Sequence, residues 1–277
     1  MTGRSRVLVA ALAVFALAVG LLLGSGVLGS GFLANSSDGD KLAEAEREAE
    51  AAQGEAQLGH DFADATGPVA IRARLEGRTV ALVRTADTTD EDLAAASARL
   101  EQAGAVTGST VALTDEWTAE DRGAFRDALA DQITDALPEP PQGATTSQVL
   151  SAALAQALAS GGAFDPEGQE RADTLWTLLT EAELVTGERT ATAEVFLLVT
   201  PGGDVSDLAG AFVDTSVATV VGFTGADAGS AGSATTVTRA ATFYGAWTVV
   251  GATINAAGGI SGAYDASDAA DVIANLN

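Results

Sequence analysis

The chain has 277 residues and a formal net charge of −24, with 38 Asp and Glu against 14 Lys and Arg. That balance argues against nucleic acid or an anionic lipid surface as a partner, since both carry the same sign of charge. The absence of cysteine excludes a disulfide framework, a thiolate nucleophile, a zinc knuckle and a lipid-carrying Cys.

Residues 1–6 form a short basic amino terminus containing Arg4 and Arg6. From Val7 to Ala34 no residue is charged. A bilayer core needs about 20 apolar residues in a helix, whereas a secretory apolar region needs about 7 to 15. Residues 7–34 are therefore expected to be a transmembrane anchor. The small residues of "GSGVLGSG" also offer a peptidase site, so a cleaved leader is the alternative. Arg4 and Arg6 before the run, and Asp38 and Asp40 after it, place the bulk of the chain outside the cytoplasm by the positive-inside rule. Ala16, Gly20 and Gly24 make a small-residue stripe along which two such helices could approach.

Residues 38–66 read as a helical stalk. Leu42, Ala45, Ala49, Ala52, Ala56, Gly59 and Ala63 alternate spacings of three and four, the seam of a coiled coil. Alanine knobs bury little more than a methyl, so the expectation is a weak coiled coil or a solvated spacer helix. Glu44, Arg47 and Glu50 support the single helix at i, i+3 spacing. The sole histidine, His60, is expected as an exposed residue of this helix.

Residues 67–277 read as an extracytoplasmic α/β domain. "RTVALVRT", Arg78 to Thr85, is a short apolar run of the kind covered on both faces of a sheet. The next segment is a helix with Thr88 and Glu91 as its capping box and Leu93, Ala96, Leu100 and Ala103 on its buried face, ended by Gly104. "GSTVALTDEW" is a second strand, and Phe125, Leu129, Ile133 and Leu137 line a further helix that "PEPP" stops. Two helices follow, Ser147 to Ser160 and Gln169 to Leu184, the second with Leu175, Trp176, Leu178 and Leu179 close together. "AEVFLLVT" and "SVATVVGFT" are two more buried strands with the short helix "DVSDLAGAFV" between them. "GADAGSAGSATT" is a loop, and "FYGAWTVVGATINAAGG" has helix length. Alternating strands and helices imply a Rossmann-like, mostly parallel sheet flanked by helices.

Motifs of chemistry are scarce. The first strand-to-helix turn, "VRTADTTDED", has no glycine and carries four carboxylates where a phosphate would approach, so neither a dinucleotide fingerprint nor a P-loop is supported. No G-x-S-x-G elbow occurs, and His60 is far in sequence from any serine at a strand end. Asp265, Asp268 and Asp271 could cap a last helix or loosely hold a hard cation such as Ca²⁺. No residue is assigned as catalytic or cofactor-binding, no metal-ligand set is assigned, and the chain is not expected to be an enzyme.

The segment "LAVFALAVGLLLGSG", a stalk ending in "FADA", and "RLEGRTVALVRTADTTDEDLAAASARLEQAGAVTGSTVALTDEW" together resemble the actinobacterial copper-transporter family of the mycobacterial outer envelope. The likeness runs from about residue 8 to residue 140 and continues more loosely in "VTRAATFYGAW" and "GGISGAYD", where the family's Thr-Val-Asp-Asn stretch is missing. The resemblance implies a membrane-anchored envelope protein with a role in copper homeostasis or export. Related members imply the alternative, an envelope-assembly or cell-division scaffold that binds another protein through its domain and stalk. Copper(I) favours thiolate and thioether and copper(II) favours imidazole. With no Cys, one His and only Met1, copper is expected as a transported or weakly bound ion. The short continuous strands do not make an outer-membrane barrel, which needs at least about eight alternating ones. Expected partners are another envelope or membrane protein and a second copy of the chain.

Overall fold

A computed structural model describes residues 37–138, 143–159, 165–215 and 217–276. The expected anchor at residues 7–34 lies outside the described residues. Among those that are described, no helix is long and apolar enough to cross a membrane. From Gly59 onward the chain forms one compact unit.

Helix α1, Ser37–Ile71, agrees with the helix expected for the stalk and continues through Pro68. Strand β1, Thr79–Arg84, is followed by α2, Asp90–Gln102, then β2, Val106–Leu113. Three helices come next: α3, Gly123–Thr134, α4, Thr146–Ala159, and α5, Pro166–Glu181. Beyond them lie β3, Val185–Arg189, β4, Val195–Thr200, α6, Ser206–Asp214, and β5, Ala218–Phe223. The chain finishes with β6, Thr235–Thr238, α7, Phe243–Ala257, β7, Ala263–Asp265, and α8, Ala269–Ala274.

The strands form one seven-stranded sheet in the order β3-β2-β1-β4-β5-β6-β7. All neighbours are parallel except β3, which runs antiparallel to β2. The expectation of a mostly parallel sheet flanked by helices holds. The central strand β4, "VFLLVT", is buried at every position, as a strand with helices on both faces must be. Its side chains alternate between two cores. Phe196 and Leu198 join Ala81, Val83 and Val221 beneath α3, α4, α5 and α6. Val195, Leu197 and Val199 join Val80, Leu82 and Val220 beneath α2, α7 and the end of α1. Phe196 stacks on Phe212 of α6 with ring centroids 4.1 Å apart, fixing that helix to the sheet.

Several local expectations need correction. The capping box of α2 is Thr89 with Asp92, one residue later than Thr88 with Glu91. Thr88 is only 2% exposed, and its hydroxyl is used in the sheet, donating to the Val199 carbonyl at 3.2 Å. Leu129, Ile133 and Leu137 are buried as expected, but Phe125 is 41% exposed and lies under the Arg122 guanidinium, 4.4 Å from its ring centroid. His60 is half-buried rather than exposed. It stacks on Phe243 at 4.1 Å and meets Tyr244 edge-on at 5.1 Å, because α7 packs against this part of α1. Gly67 makes that approach possible, since a Cβ there would fall 2.3 Å from the Trp247 ring.

Candidate functional site

In an open parallel sheet, ligands bind beyond the carboxyl ends of two neighbouring strands whose following helices leave to opposite faces. Strands β1 and β4 are such a pair. The chain leaves β1 for α2 on one face and leaves β4 for α6 on the other. Beyond their ends lies a cleft of about 730 Å³. Its floor is Thr85, Ala86 and Asp87 after β1 and Thr200 to Val205 after β4; Thr114, Trp117 and Arg126 form one wall, and Thr145 to Ser147 with Ser151 of α4 form another.

The β1 turn is knitted to itself. Its Thr85 amide donates to Val199 at 3.1 Å, the Thr85 and Thr88 hydroxyls meet at 3.1 Å, and Arg84 donates to the Thr88 carbonyl at 2.7 Å. After β4 the turn is open instead. Gly203 has φ +86, a conformation that a side chain resists, and a Cβ placed there would meet nothing within 4 Å.

The cleft is acidic. Asp87, Asp127, Asp204 and Asp207 line it against the single guanidinium of Arg126. Arg126 is committed in part to the chain itself, donating to the carbonyls of Glu116 at 3.0 Å and Ala119 at 2.6 Å. Two helices begin at the cleft, and a helix amino terminus attracts anions. Here a carboxylate already caps the first, and at the second Thr145 and Gln148 cap each other beside a carboxylate. Asp204 accepts from the Ser206 amide at 3.0 Å at the start of α6, and Asp127 accepts from the Thr146 hydroxyl at the start of α4. Hydrogen bonds from the Ser206 side chain and amide hold the Asp204 carboxyl below its ordinary value.

One polar group in the wall is unsatisfied. Ser151 is 1% exposed, and its Oγ has no hydrogen-bond partner among the described residues.

The turn after β1 is free of glycine, whereas its neighbour "TPGGDVSD" carries two glycines between an apolar strand and a helix, the one sign in the sequence of a backbone that a ligand can approach. Thr114, Trp117, Arg126 and Ser151 had no signal of their own, because the fold brings them together from three separate stretches.

The carboxylates near the chain's end serve the fold. Asp265 accepts from Arg239 Nε at 3.0 Å and from Thr238 at 2.6 Å, and it forms a capping box with Asp268 before α8. These partners hold its carboxyl far below the usual carboxylate range, the Arg239 bond first among them. Asp265 thus caps the 3-10 turn Ala266–Asp268, one step before the last helix that it was expected to cap, and Asp268 makes no side-chain bond to the start of α8. Among the described residues no group of three or more His, Asp or Glu is placed to hold a metal ion.

A family model described as "Copper transport outer membrane protein, MctB" matches residues 2–274. The chain belongs to the MctB family. The resemblance found in the sequence is therefore confirmed over nearly the whole chain, including the last third, and the family implies a role in copper transport at the envelope. No curated protein matches the chain. For an MctB-family chain the cleft's donor set is notable for its hardness: hydroxyls and carboxylates suit neither oxidation state of copper as well as thioether or imidazole would. The one imidazole, His60, is engaged with Phe243 and Tyr244 instead.

Proposed function

We propose that the chain is a non-catalytic, membrane-anchored accessory of copper export, held by residues 7–34 with the α/β domain outside the cytoplasm. The family match over residues 2–274 is the observation that carries this reading. Copper is the cargo. A chain without Cys and with a single stacked His does not supply a tight copper site by itself, so a partner in the envelope provides the soft ligands. The same poverty of copper ligands favours a second reading, a scaffold for envelope assembly or division that binds its partner through the domain and stalk.

A deletion strain distinguishes the two. Growth on graded copper should fail at lower concentrations than in the parent while cell shape stays normal; altered septation at unchanged copper tolerance would instead select the scaffold. Topology is tested separately: protease added to spheroplasts should digest the domain, and a soluble protein beginning near residue 30 or later would overturn the anchor.

A further inference from the structure

The cleft between β1 and β4 is a built recess that copper chemistry does not explain. Its position is where parallel sheets bind small molecules, and its volume of about 730 Å³ falls within the range of small-molecule sites. What it would accept follows from what lines it. Phosphate and nucleotide are disfavoured, because Asp204 already occupies the start of α6, Thr145 and Gln148 cap the start of α4, and the Asp127 carboxylate lies beside it on the Thr146 hydroxyl. A largely apolar ligand is disfavoured too, since the wall and floor are rich in hydroxyls and carboxylates.

Three features of the lining point to a ligand. Trp117 offers an aromatic surface on one wall. Asp87 and Asp207 line the cleft and enter no hydrogen bond or ion pair among the described residues. Ser151 keeps a buried hydroxyl without a partner, a group whose burial costs free energy unless something bonds to it.

A sugar satisfies all three at once. The C–H face of a pyranose packs on an indole ring, its vicinal hydroxyls donate to carboxylates in charge-assisted bonds, and an amino group on the ring gains from the negative field. We infer that this cleft binds a neutral or amino-bearing saccharide, with Trp117 as stacking platform, Asp87 and Asp207 as hydroxyl acceptors and Ser151 as a partner at the inner wall. The inference is independent of how copper is handled, since it concerns a site with no copper ligand in it.

Isothermal titration of the full chain in a sugar-free detergent tests it, with N,N′-diacetylchitobiose, the glucosamine disaccharide, maltose and inorganic pyrophosphate as probes. At least one saccharide should bind and pyrophosphate should not. Replacing the ring in Trp117→Ala should weaken saccharide binding by about tenfold or more, while Trp117→Phe retains most of it. Asp87→Asn, at an exposed position, should weaken binding with the fold intact. Ser151→Ala should also weaken binding yet leave the melting temperature unchanged or raised, because the hydroxyl it removes has no partner among the described residues. Failure of all three saccharides to bind at millimolar concentration would overturn the site. So would tighter binding of pyrophosphate, or saccharide binding that is the same in Trp117→Ala and Asp87→Asn as in the unaltered chain.

Discussion

The two turns that meet at the cleft occupy equivalent positions in the fold and are built in opposite ways. After β1, the chain needs no glycine: threonine hydroxyls and Arg84 bond back to local carbonyls, and Thr88 ties the turn to Val199 on the neighbouring strand. After β4, two glycines carry the chain, and the turn is held from outside. Ser230 donates its amide to the Gly203 carbonyl at 3.0 Å and accepts from the Val205 amide at 2.8 Å. The first turn is rigid through its own side chains. The second is shaped by a distant loop and leaves its backbone open to the cleft.

The largest effect should come from detaching that loop. A Cβ at Gly229 would fall 1.8 Å from the Gly203 carbonyl oxygen, backbone against backbone, so no side-chain movement relieves it. Gly229→Ala should push the loop off the turn and lose both Ser230 bonds. At about 1 kcal/mol for each, the loss is about 2 kcal/mol, read as a lower melting temperature of the full chain in detergent. A variant as stable as the parent would show that the β4 turn holds its shape unaided.

On the other side, Thr88→Val keeps the shape of the side chain while removing its hydroxyl. The change removes the bonds of the Thr88 hydroxyl to the Val199 carbonyl and to the Thr85 hydroxyl; the carbonyl retains the Thr85 amide as a donor and the half-buried Thr85 hydroxyl turns to water, so the net cost is about 1 kcal/mol. Urea unfolding followed by near-ultraviolet circular dichroism measures it. An unchanged midpoint would mean that the β1 turn does not depend on its threonines, and the contrast between the turns would collapse.

What could be read in advance tracks burial. β1, β4 and β5 are continuous apolar runs, and a parallel strand covered on both faces has no other way to look. β3, "VTGER", is an edge strand with three exposed positions and a glycine at φ +122, and it pairs antiparallel with β2. Nothing local separates such a segment from a loop. β6 and β7 have four and three residues, too few for a pattern to repeat. The one-residue slip in the cap of α2 has the same root: Thr88 and Thr89 are both fit to cap, and only the carbonyl of Val199, more than a hundred positions away, decides between them. The half-burial of His60 has a related cause, as α7 comes to lie beside it only in the fold. Of the cleft, only the glycines of "TPGGDVSD" leave a sign in the sequence, since the rest of its chemistry is split among turns and helices that share no spacing.

The smallest effect tests the carboxylate at the start of α6. Bonds from the Ser206 side chain and amide, and from Ser230, lower the affinity of Asp204 for a proton in the folded chain. A carboxyl whose folded value is depressed adds stability that is present above its unfolded value, near about 4, and is lost as pH falls through the lower folded value. Asp204→Ala should therefore lower the melting temperature slightly at neutral pH, and the gap between variant and parent should narrow as pH falls below about 4. The side chain is fully exposed, so solvent screening keeps the effect small. A gap that stays constant with pH would mean that Asp204 acts through shape and not through charge, and that the amino terminus of α6 is still open to an anion. In that case pyrophosphate, and not a saccharide, becomes the ligand to expect in the cleft.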